Sequence, residues 1–157
     1  EEPQGERFTI RVEVELEAGP ELEEVLDTVE TVLGDHRGWT GRGTIMFQHV
    51  ANEQPDLTIL IATPDSVDRL CAPADTEGYF SCRNGERAVL NAERWMEAVP
   101  HWDADLAEYR AYLINHEVGH FLGEGHVRCP EGSGPAPVMQ QQSIDLLGCE
   151  PNGWPHL

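Results

Sequence analysis

A chain of 157 residues with 39% apolar and 25% charged residues can bury one ordinary core, and no composition break divides it. Twenty-nine acids against ten bases, every base an arginine, leave a net charge of −19 and argue against a nucleic-acid partner, which needs clustered positive charge. No apolar run approaches the roughly 18 residues of a membrane-spanning helix. Twelve of the acids precede residue 36, so the excess belongs mainly to the N-terminal segment. It reads as solubility, with steering of cationic substrates as the sharper alternative.

Phe8, Ile10, Val12, Val14 and Leu16 alternate with polar residues, the period of a strand with one wet face, which Gly19-Pro20 ends. Leu22, Val25, Leu26, Val29 and Leu33 recur at three and four, predicting an amphipathic helix over 21–33 stopped by Gly34. A turn-rich loop around Gly38 to Gly43 precedes two strands, 44–50 and 57–62, the second closed by Pro64. A short helix over 66–70 is followed by an irregular stretch from Cys71 to Gly85, then a fourth strand over 87–91 that leaves the sheet toward Trp95. Asp105 can cap a helix carried by Leu106, Tyr109, Leu113, Ile114, Val118, Phe121 and Leu122 as far as Gly123, after which loop is expected.

Cys71, Cys82, Cys129 and Cys149 allow three pairings. Neighbour pairing, Cys71 with Cys82 and Cys129 with Cys149, closes two short loops worth roughly 3 kcal/mol each, and is favoured. The absence of CxxC spacing points to an oxidising compartment in place of a zinc ribbon. The start, Glu1-Glu2-Pro3, has no basic and apolar leader, as expected of an exported protein whose signal has been removed.

Chemistry concentrates in His116 to His126, HEVGHFLGEGH. His116 and His120, four apart on a helix, project both imidazoles from one face and can share a metal. Glu117 stands beside the first histidine, where a carboxylate can take a proton from water without itself ligating, and is the expected general base. Gly123 can adopt a left-handed conformation that ends the helix and returns His126 as third ligand, leaving one position of a tetrahedral Zn²⁺ for water. The spacing HExxHxxGxxH followed by a methionine turn is the metzincin signature, and its chance occurrence in this composition is on the order of 10⁻⁴. Met139, thirteen residues after His126, is the expected methionine, its thioether packed under the imidazoles. Tyr109 and Tyr112 read as packing residues, His101 and Trp102 as loop anchors, and His36, His49 and His156 lack ligand spacing.

Together with the segments 37–41, 67–73, 81–85, 89–92 and 137–141, the motif at 115–120 resembles an actinobacterial family of exported proteins. That family is catalogued as a domain of unknown function with a metzincin-like zinc motif. The likeness runs from about residue 30 to the end. It implies a secreted or envelope-exposed protein with zinc at His116, His120 and His126 and Glu117 as acid/base. In metzincins an edge strand above the active-site helix pairs with extended substrate, and Arg87, Ala88, Val89, Leu90 and Asn91 are the strand expected in that role. Val127 after the third histidine departs from well-studied metzincin peptidases, as does the short segment after Met139.

The reading is therefore an α+β, metzincin-like zincin: a mixed twisted sheet of four to five strands, a backing helix and an active-site helix. It is a single domain over 1–157, with an N-terminal subdomain over 1–123 and a small C-terminal one over 124–157. The expected activity is zinc-dependent hydrolysis of peptide bonds by a monomer acting on peptide or protein. Rival readings are a silent zinc-containing module that holds peptides at the cell envelope, and an amidase on cell-wall peptides.

Overall fold

The computed structural model describes residues 5–157 and orders nine elements: β1 (Glu6–Val14), α1 (Leu22–Gly34), β2 (Ile45–His49), β3 (Leu57–Ala62), α2 (Pro64–Cys71), β4 (Cys82–Asn84), β5 (Arg87–Asn91), α3 (Ala92–Glu97) and α4 (Leu106–Phe121). The expectation about the leader falls on Glu1 to Pro3, outside the described residues. The strands form one sheet in the order β2-β1-β3-β5-β4, parallel except for β4, which runs antiparallel to β5. The structure is thus a mixed α+β fold with five strands and four helices.

Strand alternation gives the sheet two differently covered faces. Ile10, Val12, Leu57, Ile59, Ile61, Ala88 and Leu90 point to the larger core, shared with Val25, Val29 and Val32 of α1 and with Tyr109, Ile114 and Val118 of α4. Ala62 and Val89 face the other way and pack with Val67 and Cys71 of α2. The Cys71–Cys82 disulfide ties α2 to β4, and Cys129–Cys149 closes the C-terminal segment. Two disulfides fit an extracellular protein. Among the described residues no helix is long and apolar enough to cross a membrane.

Several elements differ from the sequence expectation. The first strand stops at Val14, so Leu16 is 89% exposed, because the chain turns at once through Glu17 at φ 69°. α2 begins at Pro64, not Ser66: Thr63 caps it by accepting from Ser66 N, and proline suits the first turn, where its missing N–H costs nothing. The stretch read as irregular contains β4, paired to β5 through the two-residue turn Gly85-Glu86. Gly85 (φ 64°) holds the first central position, where a type II′ hairpin turn needs positive φ. α3 also appears, its N-terminus capped by Asn91 Oδ1 accepting from Glu93 N at 2.9 Å and Arg94 N at 3.4 Å.

The strand 87–91 is not the edge. β5 lies between β3 and β4, with Ala88 to Asn91 all buried, and the edge beside α4 is β4. An extended substrate cannot pair with a strand whose hydrogen-bonding sides are both taken.

Beyond α4 the chain lacks regular structure, yet much of it is buried. Its backbone groups are satisfied by side-chain amides: Gln142 Nε2 donates to Asn152 O at 2.8 Å, Asn152 N donates to Gln142 Oε1 at 2.9 Å, and Asn152 Nδ2 donates to Ala136 O at 2.8 Å. This network fixes the floor on which the histidines rest.

Candidate metal centre

α4 starts where Asp105 accepts from Glu108 N at 2.8 Å. From Ala111 to Gly119 every residue is buried, as befits a helix end enclosed on all sides, and this run includes His116 and Glu117. The helix ends in a Schellman motif: Gly123 N donates to His120 O at 3.0 Å and Glu124 N to Gly119 O at 2.8 Å. Gly123 sits at φ 98°, and a Cβ there would meet nothing, so the glycine is required by backbone conformation alone. The turn it makes brings His126 back against the helix.

One donor nitrogen from each of His116, His120 and His126 lies within 4.8 Å of the others. His116 Nδ1 is 2.8 Å from Val138 O and His120 Nδ1 is 2.9 Å from Glu124 O, so each ring donates through Nδ1 and keeps a lone pair on Nε2. His120 Nε2 then meets His126 Nε2 at 3.0 Å. Two such nitrogens need a proton or a cation between them, and tetrahedral coordination at 2.0–2.1 Å would set them about 3.3 Å apart. Burial, with smaller contributions from His120 and His126, pushes His116 down to about 3, so at neutral pH it is uncharged and able to ligate. The three histidines are positioned to bind a metal ion, and an all-imidazole set is consistent with zinc.

Glu117, 5% exposed, lines the same cleft, and its Oε2 has no hydrogen-bond partner among the described residues. Burial pushes the carboxyl up to about 8, opposed by the charge of Arg83, and a cation on the neighbouring imidazoles would pull it down again. A buried carboxyl with an orphaned oxygen beside three converging imidazoles is suited to holding water and moving its proton.

Beneath the histidines, Pro137 to Gln140 form a turn closed by Gln140 N donating to Pro137 O at 3.0 Å. Val138 O orients His116, and Met139 O accepts from Val127 N at 3.2 Å. Met139, 5% exposed, rests against Gly119, where a Cβ would overlap the Met139 sulfur and approach Trp39 Cζ2 to 2.9 Å. In an exposed helix Gly119→Ala would stabilise by about 1 kcal/mol, whereas here overpacking should destabilise by about 1–3 kcal/mol, read as a lower midpoint in denaturant. Unchanged or raised stability would mean that Met139 and Trp39 are not held against the helix.

A cleft of about 560 Å³ opens from the histidines. Tyr112, Leu113 and Phe80 give it an apolar wall, and Arg83 and Ile144 also border it. Tyr112 donates its hydroxyl to Gln140 O at 3.0 Å and accepts from Gln142 N at 2.9 Å, while Tyr109 pairs with Ser143 Oγ at 2.8 Å. Both tyrosines are packed, as expected, and His101 anchors its loop through Nε2 at 2.6 Å from Gln142 O. Of the expected substrate strand, none of Arg87 to Asn91 borders this cleft. Arg83 does border it and carries no motif from which sequence reasoning assigns a role, although the Asn84-Gly85 pair just before the fourth strand is a hairpin signal.

The family model described as Protein of unknown function (DUF3152) matches residues 2–155. The chain belongs to this DUF3152 family. Among solved structures it is similar to "Structure of myroilysin", with a TM-score of 0.47 and 17% identity over 85% of this chain and 53% of that one. The DUF3152 chain thus spans about half the length of that structure. A search of curated proteins gave no match.

Proposed function

We propose that this chain is a zinc-dependent peptide hydrolase of metzincin type. The observation that carries the proposal is the convergence of His116, His120 and His126 beside the buried, unpartnered carboxylate oxygen of Glu117 in an open cleft. His116, His120 and His126 would hold the zinc ion, which would supply Lewis acidity toward a carbonyl and toward water at neutral pH. Glu117 accepts the proton from that water and returns it to the leaving amine. Val138 O and Glu124 O keep the two helix imidazoles in the ligating tautomer. The strand that receives an extended peptide is β4, since its outer edge carries no partner strand among the described residues and it borders the cleft. The support for an extracellular setting is the pair of disulfides.

The test is turnover of a diverse peptide library by the zinc-loaded protein, with and without a chelator, read by mass spectrometry. New amide cleavage that stops with the chelator and returns with zinc is expected. Peptides retained but left whole under both conditions would identify a binding module.

A further inference from the structure

We propose that Arg83 selects an acidic side chain on the peptide residue lying opposite it along β4. The inference rests on the hydrolase reading for where the peptide lies, and its chemistry follows from strand geometry. Cys82 is bonded to Cys71 of α2, and Asn84 Nδ2 donates to Leu70 O at 2.7 Å, so these two side chains occupy the α2 face of the sheet. Successive residues of a strand alternate, which puts Arg83 on the opposite face, that of α4 and the histidines. Its ladder partner, Ala88, agrees: Ala88 packs in the core shared with α4, not in the cluster beneath α2. Arg83 is exposed, borders the cleft that holds Glu117 and the three histidines, and takes part in no ion pair among the described residues. Its one hydrogen bond among the described residues runs from Nη1 to Gly85 O at 3.1 Å, which leaves most of the guanidinium donors free of them.

When an extended peptide adds to a strand, directly opposed residues place their side chains on the same face, close enough to pair. The residue opposite Arg83 therefore turns its side chain toward the guanidinium and toward the metal face at once. A carboxylate suits that position because the planar fork can bind it with two parallel hydrogen bonds. Asp75 and Glu77 border the same cleft and discourage a more highly charged anion such as a phosphoryl group. With a net charge of −19, the long-range field repels anions, so capture of an acidic peptide requires direct contact.

The experiment enriches a mixed peptide library on immobilised, zinc-loaded Glu117→Gln protein and on the same protein also carrying Arg83→Gln or Arg83→Glu. Zinc content and far-UV circular dichroism are checked for all three. Peptides with Asp or Glu at one fixed position should be enriched about tenfold or more over their Asn and Gln counterparts on the first protein. That ratio should fall to about one with Arg83→Gln and invert with Arg83→Glu. An acidic preference unchanged by either substitution, no preference at all, or enrichment of basic peptides would overturn the proposal. The readout is retention, so absence of peptide cleavage by the parent protein would sink the hydrolase reading while leaving the role of Arg83 decided by these ratios.

Discussion

Replacing Glu117 by Gln should lower peptide turnover by about 10²–10⁴-fold while leaving zinc bound with close to parental affinity. The substitution preserves volume and polarity at a position 5% exposed, so packing between α4 and the cleft is retained. What is lost is the capacity to accept a proton. Glutamine cannot be the base, and its amide would place donors where Oε2 has no partner. Parallel measurement of kcat/KM and bound zinc separates the two functions of the neighbouring residues. A variant that cleaves as fast as the parent would remove Glu117 from the chemistry; one that loses zinc would make it part of the metal shell.

His126→Ala should act in the opposite sense, weakening the metal itself. If an apparent binding free energy of roughly 10–16 kcal/mol is shared among four ligands, losing one costs about 3 kcal/mol or more, at least about 10²-fold in affinity. His126 is the exposed member of the three and comes from the loop after Gly123, so its loss should leave the fold of α4 and the sheet in place. Competition with a chromophoric chelator gives the affinity, and circular dichroism verifies the fold. Unchanged affinity would show that the metal does not need the third imidazole. The contrast with Gly119→Ala is informative, because that variant keeps all three imidazoles and disturbs only the packing of Met139 and Trp39 against the helix.

The contrast among these residues also explains what could be read in advance. The spacing of His116, Glu117, His120, Gly123 and His126 is local: one helical turn, then one glycine-terminated helix end, and both are fixed by backbone geometry within eleven residues. The period-two strands and the amphipathic α1 were legible for the same reason. Sheet order is not local. Nothing in the alternation of residues 87–91 states which strands flank them, though the unbroken burial from Ala88 to Asn91 has its trace in a run of apolar residues that suits an inner strand. β4, with three residues and no β-branched side chain, is too short for any periodicity and exists because a hairpin turn and the Cys71–Cys82 link hold it against β5. The six residues of α3 are likewise below what a 3.6-residue period can reveal. Arg83 gains its place from that topology, so its position in the cleft could not be read from its neighbours in sequence. Met139 lies between these cases: its distance from His126 suggested a supporting turn, but its contact with Gly119 depends on how the C-terminal segment folds under the helix.

Zinc K-edge X-ray absorption on the purified, zinc-loaded protein reads the coordination of the three-histidine centre and its position open to water. One zinc per chain is expected, with three imidazole nitrogens at roughly 2.0–2.1 Å and a single additional light oxygen scatterer exchangeable with solvent. A site closed by a fourth protein ligand, a sulfur neighbour, or a stoichiometry near zero would contradict it.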